Sequence, residues 1–187
     1  MDHFHFNVPG WFTFPSLYSH MVERYDNAHF VEVGSWQGSS AAYMGVEIIN
    51  SGKNIKFDVY DVWGRYSING LNTKNPEQYP DDFVEQMFRK NIKPVEKVVN
   101  ATRLDSVNAA TRYADETLDF IFLDADHTYE AVLKDLDAWM PKLKHGGHIA
   151  GHDYFNDPGV QRAVRHFFHK EDDSLYIGEQ CWCFFKQ

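Results

Sequence analysis

The 187-residue chain has little cysteine, no run of basic residues and no long apolar segment. Its two cysteines, Cys181 and Cys183, would lie on one face of a strand at a spacing unsuited to a mutual disulfide, so we expect reduced thiols. Lys and Arg number 18 against 27 Asp and Glu, which disfavours binding to nucleic acid or to an anionic membrane. The chain also lacks a membrane-spanning run and a signal-peptide pattern at its N-terminus, so we expect a cytoplasmic protein.

A dinucleotide-binding fingerprint is missing as well. The turn EVGSWQGSS contains only Gly34 and Gly38, with the bulky Trp36 between them, whereas GxGxxG is needed for the backbone to approach a pyrophosphate. The turn favours a nucleoside-type ligand without phosphates. Glu32 could receive an amino group of that ligand and Asp61 a ribose diol, although Glu32 could also be a solvated or paired carboxylate.

The composition is that of a packed domain, with 43% apolar and 16% aromatic residues. We expect an N-terminal aromatic segment and short helix, residues 1–27, to pack on one domain, residues 28–187. Residues 1–14 are rich in Phe, His and Trp, which is typical either of a mobile flap over a ligand or of an aromatic plug that seals the core.

Apolar runs alternate with helical periodicity along the rest of the chain. Five such runs predict the strands of an open, mostly parallel α/β sheet with helices on both faces, and the segments SLYIG and CWCFFKQ predict a C-terminal antiparallel hairpin that brings the count to seven strands. The runs end near residues 34, 61, 101, 123 and 153. Ligands of such sheets bind at the carboxyl ends of the strands, so we expect the chemistry there.

Helix boundaries and one loop can also be predicted. The helix after residue 123 should end at Pro141 or shortly after, with Gly146-Gly147 turning the chain into the next strand. Its apolar face should contain Val132, Leu136, Trp139, Met140 and Leu143. Asp157-Pro158 predicts the start of the last helix. The long loop over residues 62–80 indicates a substrate-facing insertion or a surface excursion.

Acidic and imidazole side chains follow two neighbouring strands. Asp124 ends one strand and His152-Asp153 the next, and together they could give three ligands to a divalent ion. Alternatively, Asp124 and Asp153 cap the helices that follow them. Asp126 should face solvent or cap a helix. His127 lies near a helix N-terminus, where we expect the dipole to favour the neutral imidazole and thus a general base.

These residues carry a family resemblance. The set VEVGSWQGSS, DVYDVW, LDSVNAA, FIFLDADHTYEAV and GGHIAGHDYFNDPGVQRAV resembles the class I S-adenosylmethionine-dependent methyltransferases, in particular methyltransferase family 24, from about residue 28 onward. The resemblance implies the Rossmann-like sheet of that class and S-adenosylmethionine as cofactor. It implies that the cofactor is bordered by Glu32, Gly34, Ser35, Trp36, Gly38 and Ser39 at its methionine part, by Asp61 at the ribose, by Asp105 and Ser106 at the adenine, and by Asp124.

The resemblance extends to metal-dependent O-methyltransferases of the catechol and macrolide-sugar types. It implies metal ligands at Asp124, His152 and Asp153 and a general base at His127. Those enzymes have Asp or Glu in place of His152, and imidazole moves metal preference from Mg²⁺ toward Mn²⁺, Fe²⁺ or Zn²⁺. We therefore expect metal-assisted O-methylation, with Mg²⁺ or Mn²⁺, of a hydroxyl on a sugar or another small polyhydroxylated acceptor.

Two alternatives use the same residues. One is a metal-dependent hydrolase built on the Asp124, His152 and Asp153 cluster, and the other is a non-catalytic S-adenosylmethionine-binding module. The expected partner is a small-molecule acceptor, and the sequence is compatible with a homo-oligomer.

Overall fold

A computed structural model describes residues 1–64, 67–68, 70–71, 73–168, 175–178 and 180–187. Within that part of the chain seven strands form one sheet, in the order β3-β2-β1-β4-β5-β7-β6. The strands are β1 Ala28–Val33, β2 Ile55–Asp61, β3 Val99–Arg103, β4 Leu118–Leu123, β5 Leu143–Gly151, β6 Leu175–Gly178 and β7 Cys181–Phe185. Strands β1 to β5 pair in parallel, and β7 pairs antiparallel with β5 and β6. The predicted fold class is confirmed.

Helices cover both faces of this sheet because its strands are apolar on both sides. The helices are α1 Pro15–Arg24, α2 Ser39–Ser51, α3 Phe83–Asn91, α4 Ser106–Ala110, α5 Tyr129–Trp139 and α6 Pro158–Phe168. Buried residues of α1, α2 and α3 pack with Phe30 and Phe120 on one face. Those of α4, α5 and α6 pack with Val31 and Ile121 on the other. No helix among the described residues is long and apolar enough to cross a bilayer.

The segment around Pro141 differs from the sequence prediction. Helix α5 ends at Trp139, a 3-10 turn spans Met140–Lys142, and Leu143 is the first residue of β5. The predicted place of Leu143 on the helical face is therefore wrong, because proline cannot continue the helix. Gly146-Gly147 does not form a turn before the strand either. Both glycines lie inside β5, where Gly146 has φ +79° and the pairing with β4 shifts register, as in a bulge.

The N-terminal segment is packed against the domain. Phe14 is 1% exposed and lies in the same apolar cluster as Phe122, while Trp11 remains 66% exposed. The burial of Phe14 agrees with the predicted plug, and the flap over a ligand stays a prediction. Cys181 and Cys183 are free cysteines of β7, as predicted, and both are buried in that same cluster. The predicted loop 62–80 lies partly outside the described residues, since 65, 66, 69 and 72 are not among them.

Candidate active site

The ends of β4 and β5 bring three predicted metal ligands together. These strands are parallel neighbours, so Asp124 follows one strand directly beside the His152-Asp153 pair that follows the other. Nδ1 of His152 lies 3.3 Å from Oδ2 of Asp153 and 3.9 Å from Oδ2 of Asp124. One donor atom from each of the three residues lies within 4.8 Å of the others. An imidazole and two carboxylates are a donor set suited to a divalent transition metal.

The two aspartates are not helix caps. The hydroxyl of Thr128 caps α5 by accepting from the backbone N–H of Ala131 at 3.4 Å. The carboxylate of Asp157 accepts from the N–H of Gly159 at 2.7 Å in the first turn of α6, as the Asp157-Pro158 pattern predicted. The alternative in which Asp124 and Asp153 cap these helices is therefore wrong. Asp126 is exposed and accepts from the N–H of Thr128 at 2.8 Å, in agreement with its prediction.

His127 joins the same cluster. Its Nε2 lies 3.3 Å from Oδ1 of Asp124 and 3.6 Å from Oδ2 of Asp153. The hydrogen bond with Asp124 raises the pKa of His127 and outweighs burial, which would lower it. The predicted lowering by the helix dipole is wrong in direction, because the carboxylates are in direct contact with the imidazole.

Charges within the cluster compensate each other. The hydrogen bond from His152 is the main reason that the pKa of Asp153 falls to about 2. Burial alone would lower the pKa of His152, but Asp153 and Asp124 outweigh that effect and raise it. Two imidazoles thus face two carboxylates, and three of these residues, Asp124, His127 and His152, line a small cleft together with Val132.

The N-terminal segment makes a contact with the cluster that was not predicted from the sequence. The hydroxyl of Thr13 lies 2.9 Å from Nε2 of His152, the nitrogen that points away from the carboxylates. The ring of Phe14 packs against the same imidazole at 4.9 Å between centroids. No spacing rule links Thr13 to His152 across 139 residues, and the aromatic richness of residues 1–14 was the only signal.

The predicted cofactor turn lies between β1 and α2. Gly34 and Gly38 have φ of +85° and +89°, values that favour glycine. A Cβ at Gly34 would lie 2.0 Å from the carbonyl oxygen of Asp124, so the turn is in close contact with the end of β4. The cofactor turn and the Asp and His cluster are therefore adjacent.

Asp61 holds this turn from the end of β2. Its carboxylate accepts from the N–H groups of Ser35 and Trp36, each at 2.9 Å, and from that of Trp63 at 2.7 Å. Burial raises the pKa of Asp61 although these three hydrogen bonds oppose the change. Its predicted ribose contact stays a prediction.

Glu32 is completely buried beneath the turn. It accepts hydrogen bonds from the hydroxyls of Tyr18 at 2.8 Å and Ser40 at 2.7 Å. Burial raises its pKa to about 7, against the effect of these hydroxyls. The alternative of a solvated carboxylate is wrong, because Glu32 is 0% exposed and hydrogen-bonded. Its predicted contact with the cofactor amino group stays a prediction.

The N-terminal segment also touches this turn. Trp36 stacks on Trp11 with 4.7 Å between ring centroids and donates from Nε1 to the carbonyl of Ser67. Ser39 donates from its hydroxyl to the carbonyl of His5 at 3.2 Å. Residues 5–13 therefore link the cofactor turn to the His152 end of the cluster.

Asp105 and Ser106 lie after β3, away from the Asp and His cluster. Asp105 caps α4 by accepting from the N–H of Asn108 at 3.1 Å. The hydroxyl of Ser106 accepts from Nε1 of Trp139 at 2.9 Å. Their predicted adenine contacts stay predictions.

The sheet order, the glycine turn after β1 and the polar strand ends define a Rossmann-like enzyme of the class I methyltransferase type. Residues 31–154 match a protein family described as "Methyltransferase domain", which is more than half of the chain. The chain belongs to this family. The predicted family and the predicted S-adenosylmethionine-dependent methyltransferase are thus confirmed.

Solved structures share this fold. The O-methyltransferase NovP is 18% identical with a TM-score of 0.62, over 92% of this chain and 79% of its own. A methyltransferase from Geobacter sulfurreducens is 12% identical with a TM-score of 0.60, over 95% and 79%. An S-adenosylmethionine-dependent O-methyltransferase from Thermotoga maritima is 15% identical with a TM-score of 0.56, over 84% and 49%. A search of curated proteins finds no significant match.

Proposed function

We propose that this methyltransferase transfers the methyl group of S-adenosylmethionine to a hydroxyl of a small polyhydroxylated acceptor, such as a sugar, with the help of a divalent metal ion. The observation that carries the proposal is the convergence of Asp124, His152 and Asp153 within 4.8 Å, with His127 in contact with both carboxylates. NovP and the Thermotoga maritima protein, both O-methyltransferases of this fold, support an oxygen acceptor.

The residues present fit a metal ion. Nδ1 of His152 and a carboxylate oxygen from each of Asp124 and Asp153 lie within 4.8 Å of one another, and Asp124 and His152 line a small cleft. A divalent ion held by these three side chains would supply a Lewis acid that lowers the pKa of an acceptor hydroxyl. The imidazole ligand favours Mn²⁺, Fe²⁺ or Zn²⁺ over Mg²⁺.

His127 is the residue that would accept the hydroxyl proton. Nε2 of its imidazole lies 3.3 Å from Asp124, and this hydrogen bond is the main cause of the raised pKa of His127, to which the charges of Asp124 and Asp153 add. A divalent cation that neutralised the charges of Asp124 and Asp153 would lower the pKa of His127 and favour the neutral base. The oxygen would then attack the methyl carbon, the bond from carbon to sulfur would break, and S-adenosylhomocysteine would leave.

Exposed aromatic residues favour a small cyclic acceptor. Two exposed aromatic residues are close in sequence to residues of the site: Trp11 is two residues from Thr13, and Phe155 is two residues from Asp153. Such rings give an acceptor an apolar surface on which to stack. The net charge of −9 is compatible with a sulfonium cofactor and unfavourable for nucleic acid.

Transfer of labelled methyl groups from S-adenosylmethionine to a panel of sugars, polyols and catechols tests the proposal. We expect transfer to a hydroxyl that EDTA abolishes and that Mn²⁺ or Mg²⁺ restores. Full activity in EDTA would refute metal assistance, and transfer only to nitrogen acceptors would refute the hydroxyl acceptor. Binding of S-adenosylhomocysteine, measured by calorimetry, separates the proposal from a metal-dependent hydrolase, which needs no such ligand.

A further inference from the structure

We infer that Thr13 is a positioning residue of the proposed metal site, where its hydroxyl holds the imidazole of His152 with Nδ1 facing Asp124 and Asp153. The inference rests on the proposed metal-assisted function. It assigns the N-terminal segment, which lies outside the matched family region, to the active site.

The hydrogen bond of Thr13 is important because His152 is buried. The His152 side chain is 4% exposed, and both ring nitrogens have polar neighbours: Asp153 at 3.3 Å from Nδ1 and Thr13 at 2.9 Å from Nε2. Without Thr13, Nε2 of His152 would be a buried polar atom with no hydrogen bond, which is unfavourable. Among the described residues, the Thr13 hydroxyl is the hydrogen-bond partner of Nε2.

A hydroxyl is the side-chain group that can serve this nitrogen in both tautomers. When Nδ1–H donates to Asp153, Nε2 carries a lone pair and accepts from the Thr13 hydroxyl. When Nδ1 gives its lone pair to a metal ion, the proton lies on Nε2, which then donates to the oxygen of Thr13. Metal-binding imidazoles depend on such a partner at the second nitrogen for orientation and basicity.

Two neighbouring aromatic residues fix Thr13 in place. Trp11 stacks on Trp36 of the cofactor turn, and Phe14 stacks on Phe122 of β4 with 4.5 Å between centroids. These two contacts lie on either side of Thr13, whose hydroxyl is placed opposite His152. The aromatic segment thus does more than seal the core, because it presents one polar group to the site.

The test compares Thr13→Val, which keeps the shape and removes the hydroxyl, with Thr13→Ser, which keeps the hydroxyl. Thr117→Val is the matched control, since the Thr117 hydroxyl donates to the carbonyl of Ala114 at an exposed turn. Calorimetric titration of Mn²⁺ into the full chain with bound S-adenosylhomocysteine gives the metal affinity. We expect Thr13→Val to weaken Mn²⁺ binding by about 10- to 100-fold, and the other two variants to bind like wild type.

A second readout follows the imidazole itself. In ¹⁵N–¹H spectra of the Zn²⁺-loaded wild type, the His152 ring should carry its proton on Nε2, whereas Thr13→Val should show a mixture of tautomers or an unliganded ring. His152→Asn assigns the signals. If Thr13→Val does not fold, as judged by its thermal transition, Thr13→Ala takes its place.

The outcomes separate the two proposals. If wild type binds Mn²⁺ and Thr13→Val binds it equally well, the role of Thr13 is refuted and the metal site stands. Equal weakening in Thr13→Ser and Thr13→Val also refutes it, because the hydroxyl would then not be the cause. If wild type binds neither Mn²⁺ nor Zn²⁺, the metal-assisted function and the role of Thr13 are both refuted.

Discussion

Nε2 of His127 lies 3.3 Å from Oδ1 of Asp124, three residues earlier in the chain. The proposed base and a proposed metal ligand are therefore in direct contact at the end of β4. This contact explains why the pKa of His127 is raised, and it places the base beside the site where an acceptor hydroxyl would be activated.

Replacement of His127 by Ala tests the base. We expect turnover to fall by about 10²- to 10⁴-fold, the usual contribution of a general base. The affinity for S-adenosylhomocysteine should stay near that of wild type, because the cofactor turn is built from other residues. Calorimetry and initial rates measure the two effects, with the exposed His145→Ala as control. A large loss of cofactor affinity, or unchanged turnover, would contradict the base role.

Asp153→Asn tests the metal ligand. The substitution keeps the shape and removes one of the two negative charges, so the Mn²⁺ concentration needed for half-maximal activity should rise by about 10-fold or more. Titration of activity with Mn²⁺ after EDTA treatment measures this concentration. Asp126→Asn, at a nearby but exposed carboxylate, should leave it unchanged. The metal mechanism fails if Asp153→Asn has the metal dependence of wild type.

Glu32→Gln should change how stability depends on pH. Burial raises the pKa of Glu32 from 4.5 to about 7, so the folded state holds the proton more tightly than the unfolded state. The free energy of unfolding therefore falls as pH rises from about 4.5 to 7, and above that range it is lower by about 3 kcal/mol. The variant should be more stable than wild type at pH 8, with a smaller difference at pH 5. Urea unfolding at the two pH values measures this, and an equal difference at both would contradict it.

Gly34→Ala tests the close contact between the cofactor turn and β4. Gly52 has a similar φ, +66° against +85°, but a Cβ there would have nothing within 4 Å. Gly52→Ala should cost about 1 to 2 kcal/mol, the backbone penalty alone. Gly34→Ala should cost more than about 3 kcal/mol, because its Cβ would overlap the carbonyl oxygen of Asp124. Denaturant unfolding measures the loss of stability in the two variants. Equal losses would contradict the prediction, because the overlap at Gly34 would then add nothing to the backbone penalty.

Much of the fold could be predicted because the relevant signals are local. The run Leu118–Leu123 has the bounds of β4, and Pro158 begins α6 as its residue type requires. The ends of β4 and β5 followed from the rule that parallel neighbours align their carboxyl ends. Met140 and Leu143 were wrongly predicted to lie on α5, because the helical spacing of apolar residues continues across Pro141.

The sequence by itself determined which side chains lie at the strand ends, because strand length and turn type depend on residues that are neighbours in sequence. Only the tertiary structure decided how those side chains are paired. Packing makes three side-chain hydrogen bonds, between Tyr18 and Glu32, between Thr13 and His152, and between Asp124 and His127. The first two join segments that are separated in sequence. Burial raises the pKa of Glu32 and the hydrogen bond with Asp124 raises that of His127, so the direction of the His127 shift could not be predicted from its position near a helix.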